Sequence, residues 1–343
     1  MSCGCCIVPT DVLMRFARDR RLSRTSRAAF ARTARFELQW RELRTLQSSH
    51  SELAQRALGR DAALASAPAV TVYDCRKGTS LPGVPVANPA RARDATARRG
   101  YVETTALASF YQQVFGRNSV DDRGMTLQSS IHYGVKYNNA FWNGVQMTYG
   151  DGDGVIFRDF TRSDDVIAHE LTHGVTQYSA RFNYDNEAGG LNESMSDVFG
   201  SMFRQWRAQQ TAQTADWLIG ADIMGSGAIG RGFRCLRDMA DPGAEHCLAP
   251  QPGHFRDYKA GMDPHYSSGI GNLAFYLAAM AMGGRSWEVT GQIWYRALTG
   301  YAASPALTMK AFANRVRQVA RKQYANRPGA YGAVNRAWKD VGL

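Results

Sequence analysis

The sequence predicts an α+β protein in three parts: a short helical leader, a β-rich segment and a mostly helical remainder. Three observations predict it. Between residues 11 and 60 the composition is rich in Arg, Ala, Leu, Glu and Gln, and large apolar residues recur at roughly helical intervals. Residues 127–160 concentrate Tyr, Val, Phe, Trp and Gly with local alternation, the pattern of strands and turns. From Asp164 onward helical patterns dominate, broken by a polar, Pro-rich loop from Asp241 to Pro264. Charge narrows the function classes. Net charge is +11 over 343 residues, but residues 1–68 hold 12 Arg against 6 acids, a net of +6, and the other 275 residues carry only +5. A nucleic-acid binder would stripe its body with that charge, so none is expected as partner. Mean hydropathy is −0.36 and no run of 18 apolar residues occurs, so no membrane-spanning helix is expected.

In chain order, Leu13, Phe16, Leu22, Phe30, Phe36, Leu38, Leu43 and Leu46 mark two or three amphipathic leader helices. The small, loose stretch from Gly59 to Val70 reads as a linker and protease-sensitive joint. The expected divisions are therefore a leader at 1–68, a β-rich lobe at 69–185 and a helical lobe at 186–343. Arg15, Arg18, Arg20 and Arg21 come early, yet no apolar core precedes a small-residue cleavage site, so a standard secretory signal is not expected. A Gly/Pro/Arg stretch covers 78–100, a helix is expected over 101–117, and "GDGDG" at 150–154 is a tight-turn run. Six cysteines make no disulfide scaffold. Free thiols are the simpler expectation, with a Cys235–Cys247 bridge as the alternative.

The chemistry begins at His169-Glu170-Leu171-Thr172-His173. On a helix, residues four apart share a face, so two imidazoles can reach one Zn²⁺ while Glu170 stands beside it as a base. Ser163 or Asp164 can cap that helix, with Asp165 in its first turn. A hydrolytic zinc site needs a third protein ligand and one open position. Glu193 lies 20 residues after His173, in the helical pattern 189–206, and Asp197 is on the same face four residues on. A carboxylate there can take the second ring N–H of a ligand histidine.

With "NNAFWNG" (138–144), "YGDGDG" (149–154), "YRALTGY" (295–301) and "AWKDVGL" (337–343), these motifs resemble the thermolysin family of zinc metalloendopeptidases from about Val70 to Leu343. The leader's "CCIVPTDVL" (5–13) and "HYGVKYNNAFWNG" (132–144) resemble its protealysin-like precursors, with a short propeptide. The resemblance implies a two-lobed fold, the 164–182 helix flooring a cleft. It implies that His169, His173 and Glu193 hold one Zn²⁺, that Asp197 braces His169 and that Asn192 braces His173. Glu170 would be general base, then acid; Tyr184 and His265 would bind the oxyanion. Asn139 and the backbone of Ala140 would hold the substrate as an added strand, and Arg237 a substrate carbonyl. Phe157, Val166 and Leu236 would line the pocket after the scissile bond. The implied activity is a neutral protease cutting protein or peptide substrates before bulky apolar residues. It would be secreted by a non-classical route, with a cytoplasmic precursor as the alternative, and latent until its own propeptide, the intramolecular inhibitor, is removed.

The sequence also departs from the family. Ala260 stands where an Asp partner for His265 is usual, which leaves Asp263 or Asp257 for the role, and Pro264 before His265 is unusual. Pro9-Thr10 replaces a Pro-Pro pair. Asp165 and Asp216 remain of a paired Ca²⁺ site, but Arg204, Leu218 and Ala221 replace acids, so that site is expected to be absent. Cys5 or Cys6 is a candidate thiolate for the open zinc position. Two other readings compete. A zinc aminopeptidase shares the helix motif, but no Gly-x-Met-Glu-Asn stretch occurs; a basic binding protein with a structural zinc conflicts with the charge map.

Overall fold

A computed structural model describes residues 6–37 and 68–343. Cys5 and nearly all of the expected linker lie outside them. Helix α1 (Thr10–Arg18) buries Val12, Leu13 and Phe16. Helix α2 covers 24–37 and buries Ser26, Ala29, Phe30, Thr33, Ala34 and Glu37, spaced by three and four along one face. The leader helices dock on both halves of the molecule. From α1, Arg15 donates to the Leu248 carbonyl at 2.9 Å and Asp11 accepts from Tyr266 at 2.5 Å. On α2, Glu37 accepts from the Tyr137 hydroxyl and Thr33 Oγ1 from the Asn138 amide.

A five-stranded sheet of order β2-β1-β3-β5-β4 follows. Strands β1 (Val70–Asp74) and β3 (Leu127–Ile131) are parallel, and α3 (Ala95–Phe115) connects them. The first strand falls at the edge of the stretch read as linker; Val70, Val72 and Tyr73 give it its β-propensity. Strand β2 (Val84–Pro85) pairs antiparallel with β1; β5 (Met147–Tyr149) pairs parallel with β3 and antiparallel with β4 (Ala140–Trp142). Thus β4 ends the sheet. Asp94 caps α3 by accepting from Thr96 N at 2.8 Å, so the helix begins six residues earlier than its apolar pattern suggested.

The second half is built on α4 (Asp164–Gln177), α5 (Asn186–Ala208) and α7 (Pro264–Met282), with α8 (Val289–Thr299), α9 (Met309–Gln323) and α10 (Ala330–Asp340) outside them. At the α4–α5 crossing a Cβ on Gly200 would stand 2.8 Å from the Asp165 carbonyl oxygen, so glycine is what lets the helices approach. The helical run is interrupted earlier than its pattern implied, at Gln209 instead of Asp241. Between 210 and 263 stand a short helix α6 (Ser226–Ile229) and the two-residue strands β6 (Leu218–Ile219) and β7 (Arg237–Asp238), paired antiparallel. Glycines at 220, 225, 227, 230 and 232 explain why no long helix forms there.

Candidate metal centre and catalytic cleft

Helix α4 places His169 and His173 on one buried face, and α5 brings Glu193 to them. The Nε2 atoms of the two imidazoles stand 3.1 Å apart. Glu193 Oε2 is 3.3 Å from His169 Nε2 and Oε1 is 3.6 Å from His173 Nε2. Tautomers follow from the other ring nitrogens. His169 Nδ1 faces Asp197 Oδ1 at 2.8 Å, and His173 Nδ1 faces Asn192 Oδ1 at 3.0 Å. Both partners are acceptors, so each ring carries its proton on Nδ1 and turns an Nε2 lone pair toward the other. Two lone pairs and a buried carboxylate thus converge on one point, which is repulsive unless a cation stands among them. Two imidazole nitrogens and a carboxylate are a zinc donor set, and the residues present fit that ion. Without it, burial pulls His169 down, but Asp197 and Glu193 outweigh burial and push it up to about 9. Burial pushes Glu193 up, yet the facing His265, His173 and His169 hold it near 2.

Asp197 ties the site together. Beyond His169, it accepts from Arg237 Nε and NH2 at 2.7 Å each and from Asn272 Nδ2 at 2.9 Å. Burial works against its charge, but Arg237 and His169 keep it well below the ordinary carboxylate range. Sequence reasoning missed Asn272 and also Ser196, whose Oγ lies 3.1 Å from His173 Nδ1. A signal for Asn272 existed: it is the one amide in the apolar run "GIGNLAFYL" (269–277).

The leader lies in this cleft. Cys6 forms an antiparallel bridge with Phe141, so residues 6–8 extend the sheet along β4. Ile7 N donates to the Ala140 carbonyl at 3.2 Å; Val8 N donates to Asn139 Oδ1 at 2.9 Å, and Asn139 Nδ2 donates to the Val8 carbonyl at 3.1 Å. Arg237 NH1 donates to the Ile7 carbonyl at 2.9 Å. His265 Nε2 donates to the Cys6 carbonyl, while its Nδ1 bonds Asp263 Oδ1 at 2.7 Å. With a donor needed on each nitrogen, His265 is an imidazolium; burial opposes this, but Glu193 and Asp263 raise it well above the ordinary value.

Of the candidates for the His265 partner, the structure selects Asp263. It also caps α7, accepting from His265 N at 3.0 Å, and Pro264 occupies the first helical position, where a missing N–H costs nothing. Asp257 sits in a separate turn, 255–257. The thiolate expectation is corrected for Cys6: its Sγ points to the Val8 carbonyl at 3.9 Å and packs with Cys75, Tyr133, Tyr137 and Phe141, because strand pairing with Phe141 turns the side chain away. It is the Cys6 carbonyl, not the sulfur, that faces His265 Nε2.

Glu170 is buried on α4 between the two histidines. Tyr184 is half-buried, its ring centred 6.2 Å from that of His173. Phe157, Val166 and Leu236 are buried, and the Phe157 ring lies 6.5 Å from Phe16, 6.0 Å from Phe30 and 5.5 Å from Phe160. At the far end of α4, Arg204 stands among Asp164 (3.3 Å), Asp222 (2.5 Å) and Asp216 (3.8 Å).

Residues 47–177 match the catalytic domain of the thermolysin metallopeptidases, and residues 180–343 match their alpha-helical domain. The chain is 40% identical over 285 residues to the "Extracellular metalloprotease" of Pectobacterium carotovorum subsp. carotovorum, an alignment covering 80% of each. It is 39% identical over 283 residues to "Protease PrtS" of Photorhabdus sp. (strain Az29), covering 80% of this chain and 76% of that one. Among solved structures it resembles the precursor of protealysin, a metalloproteinase from Serratia proteamaculans, with TM-score 0.83 and 35% identity over 98% of this chain and 99% of that chain.

Proposed function

Because the chain belongs to the thermolysin family of metallopeptidases, we propose that it is a zinc-dependent neutral endopeptidase, exported, made latent, and specific for bonds before bulky apolar residues. The observation that carries this reading is the leader's pose: Ile7 and Val8 make a substrate's backbone bonds to Ala140, Asn139 and Arg237, beside three ligands that converge. His169, His173 and Glu193 would hold zinc, which when bound supplies Lewis acidity toward a water and the peptide carbonyl.

The chain's own groups do the rest. Glu170 takes a proton from the attacking water at its carboxylate and returns it to the leaving amine. The imidazolium N–H of His265, aimed at the Cys6 carbonyl, and the Tyr184 hydroxyl donate to the oxygen on which charge develops. Arg237, Asn139 and the Ala140 carbonyl fix the peptide along the sheet edge. Ile7 stands in the position after the would-be scissile bond and is buried in the same apolar core as Phe157, Val166 and Leu236, which supports the preference for Leu, Phe, Ile or Val. Chain continues on both sides of Cys6–Ile7, which favours an endopeptidase over an aminopeptidase. Residues 1–68 are read as the propeptide, 69–185 and 186–343 as the two lobes. The Pectobacterium relative named "Extracellular metalloprotease" supports export.

The test is to incubate purified precursor with zinc and follow its mass. The wild-type chain should lose about 6–7 kDa, the leader's share by length, and a chelator should prevent it. Glu170→Ala should retain zinc but keep its full mass. Processing of Glu170→Ala at the wild-type rate would overturn the assignment.

A further inference from the structure

We propose that Cys235, His246 and Cys247 form a second zinc site, with three protein ligands, outside the catalytic cleft. The three side chains place ligand atoms within 4.8 Å of one another. Both cysteines are buried, and a parallel bridge joins them. The backbone holds the pair in register: Arg234 N donates to the His246 carbonyl at 2.9 Å, and Leu248 N donates to the Cys235 carbonyl at 3.0 Å.

The sulfurs stand 3.5 Å apart. A disulfide needs about 2.05 Å. Two thiolates on one zinc, each at about 2.3 Å, stand about 3.8 Å apart at the tetrahedral angle. The third donor distinguishes a metal site from a pair of inert thiols. His246 Nε2 lies 3.1 Å from Asp238 Oδ2, and Asp238 Oδ1 is itself fixed by Ala240 N at 2.9 Å and Asp241 N at 3.2 Å. With Nε2 held by this carboxylate, Nδ1 is the ring nitrogen left for a metal, which is the outer arrangement a metal-binding histidine uses, and a disulfide has no need of it. Two sulfurs and one imidazole are the donors of zinc, not of calcium or magnesium. His246 is the donor that reaches the surface, so solvent takes the fourth position. On binding, each thiol gives its proton to solvent, and the two thiolates balance the ion's charge.

The site has a structural consequence. Leu236 and Arg237 lie between the ligand Cys235 and the brace Asp238. A metal here would fasten the strand that carries a pocket wall and the substrate-gripping arginine to the 244–249 loop.

The experiment is a Co²⁺ titration of the full chain kept reduced. The group His169, His173 and Glu193 contains no sulfur, so a sulfur-to-cobalt charge-transfer band in the near ultraviolet reports only a thiolate site. The expected result is a band saturating at one equivalent, lost in Cys247→Ser and weakened at least tenfold in apparent affinity in His246→Ala. Elemental analysis of zinc-loaded chain should fall by one ion in Cys247→Ser. His246→Ala keeps both thiols and serves if Cys247→Ser does not fold. No band in the wild type, an unchanged band in both variants, or a Cys235–Cys247 disulfide recovered by peptide mapping of chain purified without reductant would each overturn the proposal.

Discussion

His265 shows how a side chain acquires its chemistry from its neighbours. Burial alone would strip its proton; the nearby Glu193 carboxylate, Asp263 on one nitrogen and a carbonyl on the other keep it charged and aimed. Replacing Asp263 with Asn removes the negative charge and keeps the shape. On the proposed function, removing an oxyanion donor costs about 10²–10³ in kcat. Asp263→Asn should therefore lower kcat on a peptide substrate by part of that amount with little change in KM, and His265→Ala by all of it. Equal kcat in wild type and Asp263→Asn would show that the carboxylate does nothing for the reaction. At this scale the sequence was most readable where a helix sets the geometry. His169, Glu170, His173, Glu193 and Asp197 are related by spacings of one, three and four residues within two helices. Asp263 was not singled out, because its reach depends on the turn that Pro264 forces, and a turn of that kind has no periodicity to read.

Among the elements, the joint between α3 and the 150–154 turn rests on one histidine. His132 bonds Asp151 and Asp94 at 2.6 Å each, and Asp94 is the cap of α3. The bond to Asp151 leads, burial opposes it and Asp94 adds to it, so His132 is raised to about 9. A folded-state value above the unfolded one means that the stabilisation is full below about 6.5, the ordinary histidine value, and is lost as pH rises through about 9. Melting temperature should fall between those limits in the wild type and much less in His132→Gln; identical profiles would refute the role. Arg204 raises a parallel case. Asp164, Asp165, Asp216 and Asp222 surround it, and its own proton is held more tightly than in water. The guanidinium already supplies the positive charge there, so added Ca²⁺ should not raise the melting temperature, and two tightly bound Ca²⁺ ions by elemental analysis would contradict this. Element reading from sequence failed where elements are very short. Strands β6 and β7 have two residues each, below the length at which alternation can be seen, although β7 carries Arg237.

For the whole molecule, the leader is the organising fact. It touches the first half through Thr33 and Glu37, the second through Asp11 and Arg15, and the line between them through residues 6–8. Phe30 is one of its buried apolar anchors, 5.2 Å from Phe16 and 6.0 Å from Phe157 by ring centroid. Truncating such a buried ring costs about 3–5 kcal/mol. Phe30→Ala should therefore loosen the leader, and mass spectrometry should show faster loss of the 6–7 kDa fragment in zinc than for wild type. A slower or unchanged rate would mean that the leader's grip does not limit processing. The sequence marked the leader as helical and basic, but not where its extended head goes, since "CIVP" (6–9) carries no pattern that names a partner. The pose of that head has a practical corollary. A synthetic peptide copied from residues 6–18 would bring a short backbone rung already shaped for the open sheet edge and, fused to it, a coil with its own apolar face. Chemists seeking a reversible blocker could begin from that pairing and vary the side chain at the Ile7 position to discriminate between related proteases.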